Sequence, residues 1–155
     1  MQALESLLRE APVFRGLADE QLALVAGCGS NVHIAEDAVL FREGDPADVF
    51  YLIRDGVVAL ETFALARGAI TIETIETGEV VGWSWLFPPY RWHFDARALT
   101  PLRATVFDGA CLRGKCEADP ALGFELMSRF AQVLIERLQW TRLRLLDVYG
   151  DDRQR

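Results

Sequence analysis

The sequence predicts a mainly β protein, an antiparallel sandwich or barrel with helices at both ends. Between residues 31 and 109, at least seven short β-rich runs come at spacings near ten residues, separated by turn signals such as Asp55-Gly56. The residues before and after that span instead repeat their apolar side chains at helical spacing. No strand–helix alternation of the kind a parallel sheet needs runs through the middle.

The 155 residues fit one domain large enough to bury a core. The composition, 51% hydrophobic and 25% charged, is that of an ordinary globular chain. A net charge of −7 and a pI near 4.8 argue against an extended nucleic-acid footprint, which needs clustered Lys and Arg. No apolar run reaches the roughly 18 residues of a membrane span, and the acidic N-terminus lacks the basic start of a signal peptide. A cytoplasmic protein with no membrane contact is therefore expected. Cys28, Cys111 and Cys116 are odd in number and scattered, which favours a reducing compartment and packing roles.

In chain order, residues 1–10 predict an amphipathic helix with Leu4, Leu7 and Leu8 on one face, stopped by Pro12. A second helix is predicted over 18–26, with Leu22, Val25 and Ala26 inward and Gly27 and Gly29 ending it. The period then changes to two. Val32 and Ile34 form one strand, and Val39 and Phe41 the next. Glu43-Gly44-Asp45-Pro46 turns the chain into Val49 to Ile53, and Asp55-Gly56 into Val57 to Phe63. Arg67-Gly68 leads to Ile70 to Ile75, with Thr71, Glu73 and Glu76 outward. Ala96 to Leu99 and Ala104 to Phe107 are the last strands.

Residues 110–118 suggest a short helix, and Asp119-Pro120 starts a long one from Ala121 to Tyr149. In it Met127, Ala131, Leu134, Leu138, Thr141, Leu145 and Val148 follow the 4-3-4-3-4-3 spacing of an a/d seam. A second stripe (Phe124, Phe130, Val133, Trp140) widens the apolar face. One stripe is expected to pack on the β core and the other to meet a partner helix, making a homodimer. The alternative is a single helix lying on its own domain.

Between Gly78 and Leu99 lies a stretch with three of the four tryptophans, in which no regular period is read. Irregular segments of this length are usually functional or disordered, and this one is too aromatic for disorder.

The order of elements resembles the cyclic-nucleotide-binding domain of the catabolite-activator type, and the local sequence agrees. Phe41 to Ile53, FREGDPADVFYLI, followed by Asp55-Gly56-Val57-Val58, is similar to the family's glycine–Asp turn, Phe-Tyr strand and Gly-Val hairpin. Phe14 and Leu17 around Gly16 resemble its opening motif. Arg137-Leu138-Gln139 and Leu146 to Gly150 look like its long helix and the hinge after it. The resemblance implies a regulatory sensor module built as a β-roll, a jelly roll or double-stranded β-helix. Residues 1–150 would form the domain, with N-terminal helices at 1–30, the roll at 31–109, C-terminal helices at 110–150 and a charged tail at 151–155. Because the chain ends five residues after Gly150, no helix-turn-helix and no direct DNA contact are expected. Output would then run through an unidentified protein partner or the dimer.

The resemblance places the aromatic stretch at the family's phosphate cassette. That cassette begins Gly-Glu, the carboxylate accepting from the ribose 2′-hydroxyl. An Arg followed by Ser or Thr then holds the cyclic phosphate, with backbone N–H groups at a helix start. Gly82 matches the glycine, but Trp83 stands at the glutamate. Aligning Arg97-Ala98 puts Trp92 at the arginine and His93 at the hydroxyl, whereas a gap placed elsewhere brings Arg91 to the phosphate. Each lost charge-assisted contact removes roughly 1.5–3 kcal/mol, and losing both weakens binding about 10²–10⁴-fold. Thr141 matches the threonine that meets the adenine edge, and is equally a polar register-setter in the seam.

Three readings of the cassette stay open. It binds another small molecule, with Trp83, Trp85, Trp92 and Phe94 as flat faces and Ser84, Arg91, His93 and Arg97 as anchors. Alternatively the aromatics fill the pocket and leave a ligand-free scaffold, in which case Trp83→Ala is expected to cost about 3–5 kcal/mol. Or a cyclic nucleotide, cAMP or cGMP, binds weakly. No cofactor is certain. His93 is compatible with the haem ligation of some relatives, but a lone histidine in an aromatic loop is more often structural. No nucleophile–base pair, carboxylate dyad or metal cluster points to an enzyme.

Overall fold

The computed structural model describes the backbone of residues 2–153 and the side chains of residues 4–148. Helices α1 (Gln2–Glu10) and α2 (Asp19–Ala26) lead into eight strands: β1 (Gly29–Ile34), β2 (Val39–Phe41), β3 (Val49–Asp55), β4 (Val58–Ala64), β5 (Gly68–Ile75), β6 (Val80–Val81), β7 (Asp95–Ala98) and β8 (Leu102–Asp108). Helices α3 (Gly109–Ala118) and α4 (Pro120–Arg153) follow. The strands form two antiparallel four-stranded sheets, ordered β1-β8-β3-β6 and β2-β7-β4-β5, so the chain crosses between sheets as a jelly roll does. The mainly β architecture with flanking helices is the one the strand spacing predicts.

Local chemistry accounts for the boundaries. Pro12 follows the end of α1, Asp108 caps α3 by accepting from the Cys111 N–H at 3.0 Å, and Asp119 accepts from Leu122 N at the start of α4. Gly56, at φ 118°, makes the β3–β4 turn, where any Cβ would meet Leu102 and the Pro101 carbonyl.

Several expectations are corrected. Leu7 on α1 is exposed, while Leu4 and Leu8 are buried. Glu73, expected outward, is half-buried. A bulge between Leu60 and Glu61 changes the β4–β5 register, and Glu73 turns toward α4 while Ile70 and Ile72 lie exposed. The stretch from Gly78 is not free of strands: β6 pairs Val81 with Tyr51 and Val80 with Leu52. The hinge expected at Leu146 to Gly150 is absent. α4 runs on to Arg153, because one glycine costs a helix only about 1 kcal/mol. Of the charged tail, residues 154–155 lie outside the described residues. The expected packing roles of the cysteines are corrected too. Cys28 and Cys111 form a disulfide across 83 residues with a Cα–Cα separation of 5.9 Å, because antiparallel β8 returns the chain beside the start of β1. Cys116 is free.

The core is aromatic where the first sheet meets the helices. Phe50 stacks on Phe107 and on Trp85, both at 4.6 Å between centroids, and meets Phe130 of α4 edge-on. This cluster holds α4 to the roll beside the stretch that follows β6.

Candidate functional site

The turn between β2 and β3 fixes the end of the aromatic stretch. Gly44 N donates to Trp92 O at 2.8 Å, Trp92 N to Asp45 O at 3.1 Å, and Ala47 N to Tyr90 O at 2.7 Å. Arg91 lies on the outer side of this ladder, where its guanidinium donates to the Gly44 carbonyl at 2.8 Å. From Arg91 onward side chains alternate, with Arg91 and His93 exposed and Trp92, Phe94, Ala96 and Ala98 buried. The ladder therefore sends Trp92 inward and keeps Arg91 out.

Trp92, 2% exposed, stacks on Phe41 with centroids 3.8 Å apart. Its ring edge lies against Gly82, whose φ of 97° suits glycine, and a Cβ added at Gly82 would fall 2.4 Å from Cη2. The space in front of Gly82 is thus taken by an indole.

Trp83 is half-buried. Phe94 packs edge-on to it at 5.6 Å, and the Arg137 guanidinium of α4 sits 5.0 Å from its ring centroid. Arg137 is itself buried. It donates to the Val80 carbonyl and lies 3.9 Å from the Glu73 carboxylate. Burial pushes the Arg137 pKa down, against the opposing pull of Glu73, Glu79 and Glu136. Burial also holds Glu73 above the usual carboxylate range, with Arg137 and Arg144 pulling the other way. Beside this pair is a cavity of about 360 Å³ lined by Glu73, Glu79, Val80, Val133, Arg137 and Trp140 among others.

The remaining predicted residues are dispersed. Trp85 is fully buried in the Phe50 cluster. Ser84 is buried beside it, and among the described residues neither Ser84 Oγ nor Trp85 Nε1 has a hydrogen-bond partner. Arg97 is consumed by acids, with Nε and Nη2 on Glu61 at 2.9 and 3.2 Å and Nη1 on Asp37 at 2.9 Å. Thr141 is exposed and returns its hydroxyl to the Arg137 carbonyl at 2.9 Å, which no adenine contact requires. His93 is exposed, outside the aromatic cluster. Among the described residues no group of three or more His, Cys, Asp or Glu could hold a metal ion.

Sequence reasoning missed Arg113. From α3 it donates to the Trp85 carbonyl, and its guanidinium lies 4.5 Å over the Tyr90 ring. It ties both halves of the aromatic loop to one helix. No local motif marks it, because its partners are a backbone carbonyl and a ring more than twenty residues away in sequence.

The cyclic nucleotide-binding domain family model matches residues 31–119, more than half of the chain. The chain belongs to the cyclic nucleotide-binding domain family. A protein of Geobacter metallireducens GS-15 assigned to cyclic nucleotide binding is 33% identical, with a TM-score of 0.80 over 89% of this chain and 99% of that one. The N-terminal domain of a transcriptional regulator from Streptomyces coelicolor A3(2) is 27% identical, with a TM-score of 0.69 over 86% and 93%. The CRP-like cAMP-activated global transcriptional regulator of Mycobacterium tuberculosis is 24% identical over 96% of this chain, which spans 65% of that regulator's length.

In this cyclic nucleotide-binding domain, α4 separates its two stripes. Leu122, Leu126, Phe130 and Arg137 are buried against the roll. Met127, Leu138, Leu145 and Val148 are exposed on the seam, with Leu134 half-buried, and Leu138 is 50% exposed. The second stripe is corrected: Phe130 and Val133 pack inward and Phe124, on the face turned from the roll, is exposed, while Trp140 shares the angular position of Leu122 and Val133 but is 64% exposed at the edge of the cavity beside Arg137. No helix among the described residues is long and apolar enough to cross a membrane.

Proposed function

We propose that this chain is a regulatory module whose cassette does not take a cyclic nucleotide in the conventional way, because its own side chains occupy the site. The observation that carries the reading is Trp92, buried on Phe41 and seated against Gly82. The resemblance puts a sugar and phosphate in front of that glycine. Trp83 replaces the expected carboxylate there, while Arg91 and Arg97 are turned to a carbonyl and to acids. The module then acts through contacts with other proteins in the cytoplasm and through a homodimer of α4 seams.

Thermal unfolding with millimolar cAMP or cGMP tests this. A ligand at a hundred times its Kd stabilises by about 2.7 kcal/mol, a shift of several degrees for a chain of this size. No shift is expected with either nucleotide, and a clear, saturable one overturns the reading.

One observation favours a second reading, an altered small ligand. The cavity beside Arg137 and Glu73 has both polar groups and apolar walls. A metabolite screen by the same thermal assay tests it directly.

A further inference from the structure

We propose that Cys28 and Cys111 are a reversible redox clasp on α3, through which a thiol–disulfide couple sets how firmly the aromatic cassette is held. Cys28 follows the α2 cap at the start of β1, and Cys111 lies in the first turn of α3. The bond therefore joins the rim of the first sheet to a helix that also contacts the cassette.

The path from sulfur to cassette is short. Leu112 is buried, and Arg113, two residues beyond Cys111, holds the Trp85 carbonyl and the Tyr90 ring. Farther along α3, Lys115 donates to the Leu24 carbonyl of α2 at 2.8 Å, and Cys116 packs beside Gly123 of α4. α3 thus touches α2, the cassette and α4. Its other anchors, the Asp108 cap and the Gly109 N–H to Asp48 O bond at 2.7 Å, keep the helix formed when the sulfurs part. Opening the clasp loosens the position of α3 without unfolding it.

Access favours exchange. Cys28 is 8% exposed, while Cys111 is only partly buried. A dithiol reductant attacks Cys111 Sγ as its thiolate, the S–S bond breaks, and Cys28 leaves as a thiolate that takes up a proton. The reductant's second thiol then displaces Cys111, which leaves as a thiol. Two electrons and two protons pass to the pair, and the dithiol closes to its own disulfide. Glutathione disulfide runs the reverse, oxidising the pair and releasing two glutathione thiols.

The test uses the whole chain equilibrated with glutathione disulfide or with dithiothreitol. Thiol titration in denaturant is expected to find one thiol in the oxidised protein and three in the reduced one. Amide hydrogen exchange over α3 and residues 84–92 is expected to be at least several-fold faster in the reduced protein, with β3 and β8 unchanged. Cys111→Ser should exchange at the reduced rate under both conditions, and Cys116→Ser should keep the redox response. Three thiols after oxidation, a bond that dithiothreitol leaves closed in the native protein, or equal exchange in the two states would each overturn the proposal.

Discussion

A Cβ on Gly82 would lie 2.4 Å from Cη2 and 2.5 Å from Cζ3 of Trp92, so the glycine and the indole fit one another in shape. Gly82→Ala adds strain at φ 97°, about 1–2 kcal/mol, and overpacking against a rigid ring, about 1–3 kcal/mol. Combining it with Trp92→Ala removes the second cost. Denaturant unfolding of the four proteins of this cycle should show a coupling of about 1–3 kcal/mol, whereas additivity within about 0.5 kcal/mol would mean that the two do not touch.

The two cassette tryptophans are not equivalent. Trp92→Ala empties a buried, stacked site and should cost about 3–5 kcal/mol. Trp83 is half-buried, so the 3–5 kcal/mol expected for it from the sequence falls to about 1–3 kcal/mol. Unfolding midpoints in urea check the ranking, and a costlier Trp83 variant contradicts it.

Arg137 is the buried cation that joins α4 to this loop. Arg137→Leu leaves Glu73 facing α4 without the buried guanidinium beside it, and removing one member of a buried pair costs about 3–5 kcal/mol. Glu73 is partly exposed, which lowers the figure to about 1–3 kcal/mol. Adding Glu73→Gln should recover part of the loss. A double variant no more stable than Arg137→Leu alone would show that the pair is not coupled.

pH gives a further check on that carboxylate. Its folded pKa is raised chiefly by burial, so its contribution to stability is fully present below the unfolded value, about 4.3. That contribution is lost as pH rises through the folded value. The Tm of Glu73→Gln relative to wild type should therefore climb as pH rises above the unfolded value, and a difference that stays constant with pH argues against a raised pKa.

The seam of α4 predicts assembly. Leu138→Glu puts a charge at a position 50% exposed in the single chain, so folding should change by under about 1 kcal/mol. A dimer built on the seam should fall apart. Sedimentation velocity reads both proteins, and a monomeric wild type ends the dimer proposal.

Much of the fold was legible in the residues. The turn pairs at Asp55-Gly56 and Arg67-Gly68 and the inward triad Leu22, Val25 and Ala26 all fall where local chemistry puts them. One legible signal was passed over: from Arg91 to Ala98 polar and apolar residues alternate strictly, which already assigns Trp92 to the inside and Arg91 to the outside. Other features had no local mark. The disulfide depends on which strand β8 pairs with, and the inward turn of Glu73 on a bulge in the neighbouring strand. Arg113 depends on two loops meeting one helix.

The ladder between residues 44–47 and 90–92 makes the occupant of the site part of the backbone's own bonding pattern. Such an occupant has no dissociation constant. On the proposed reading its presence would not follow the level of a cyclic nucleotide, and it would leave only by a rotamer change or by local opening of the ladder. What varies with conditions in such a module is the number of copies, the surfaces they meet and the covalent state of their sulfurs.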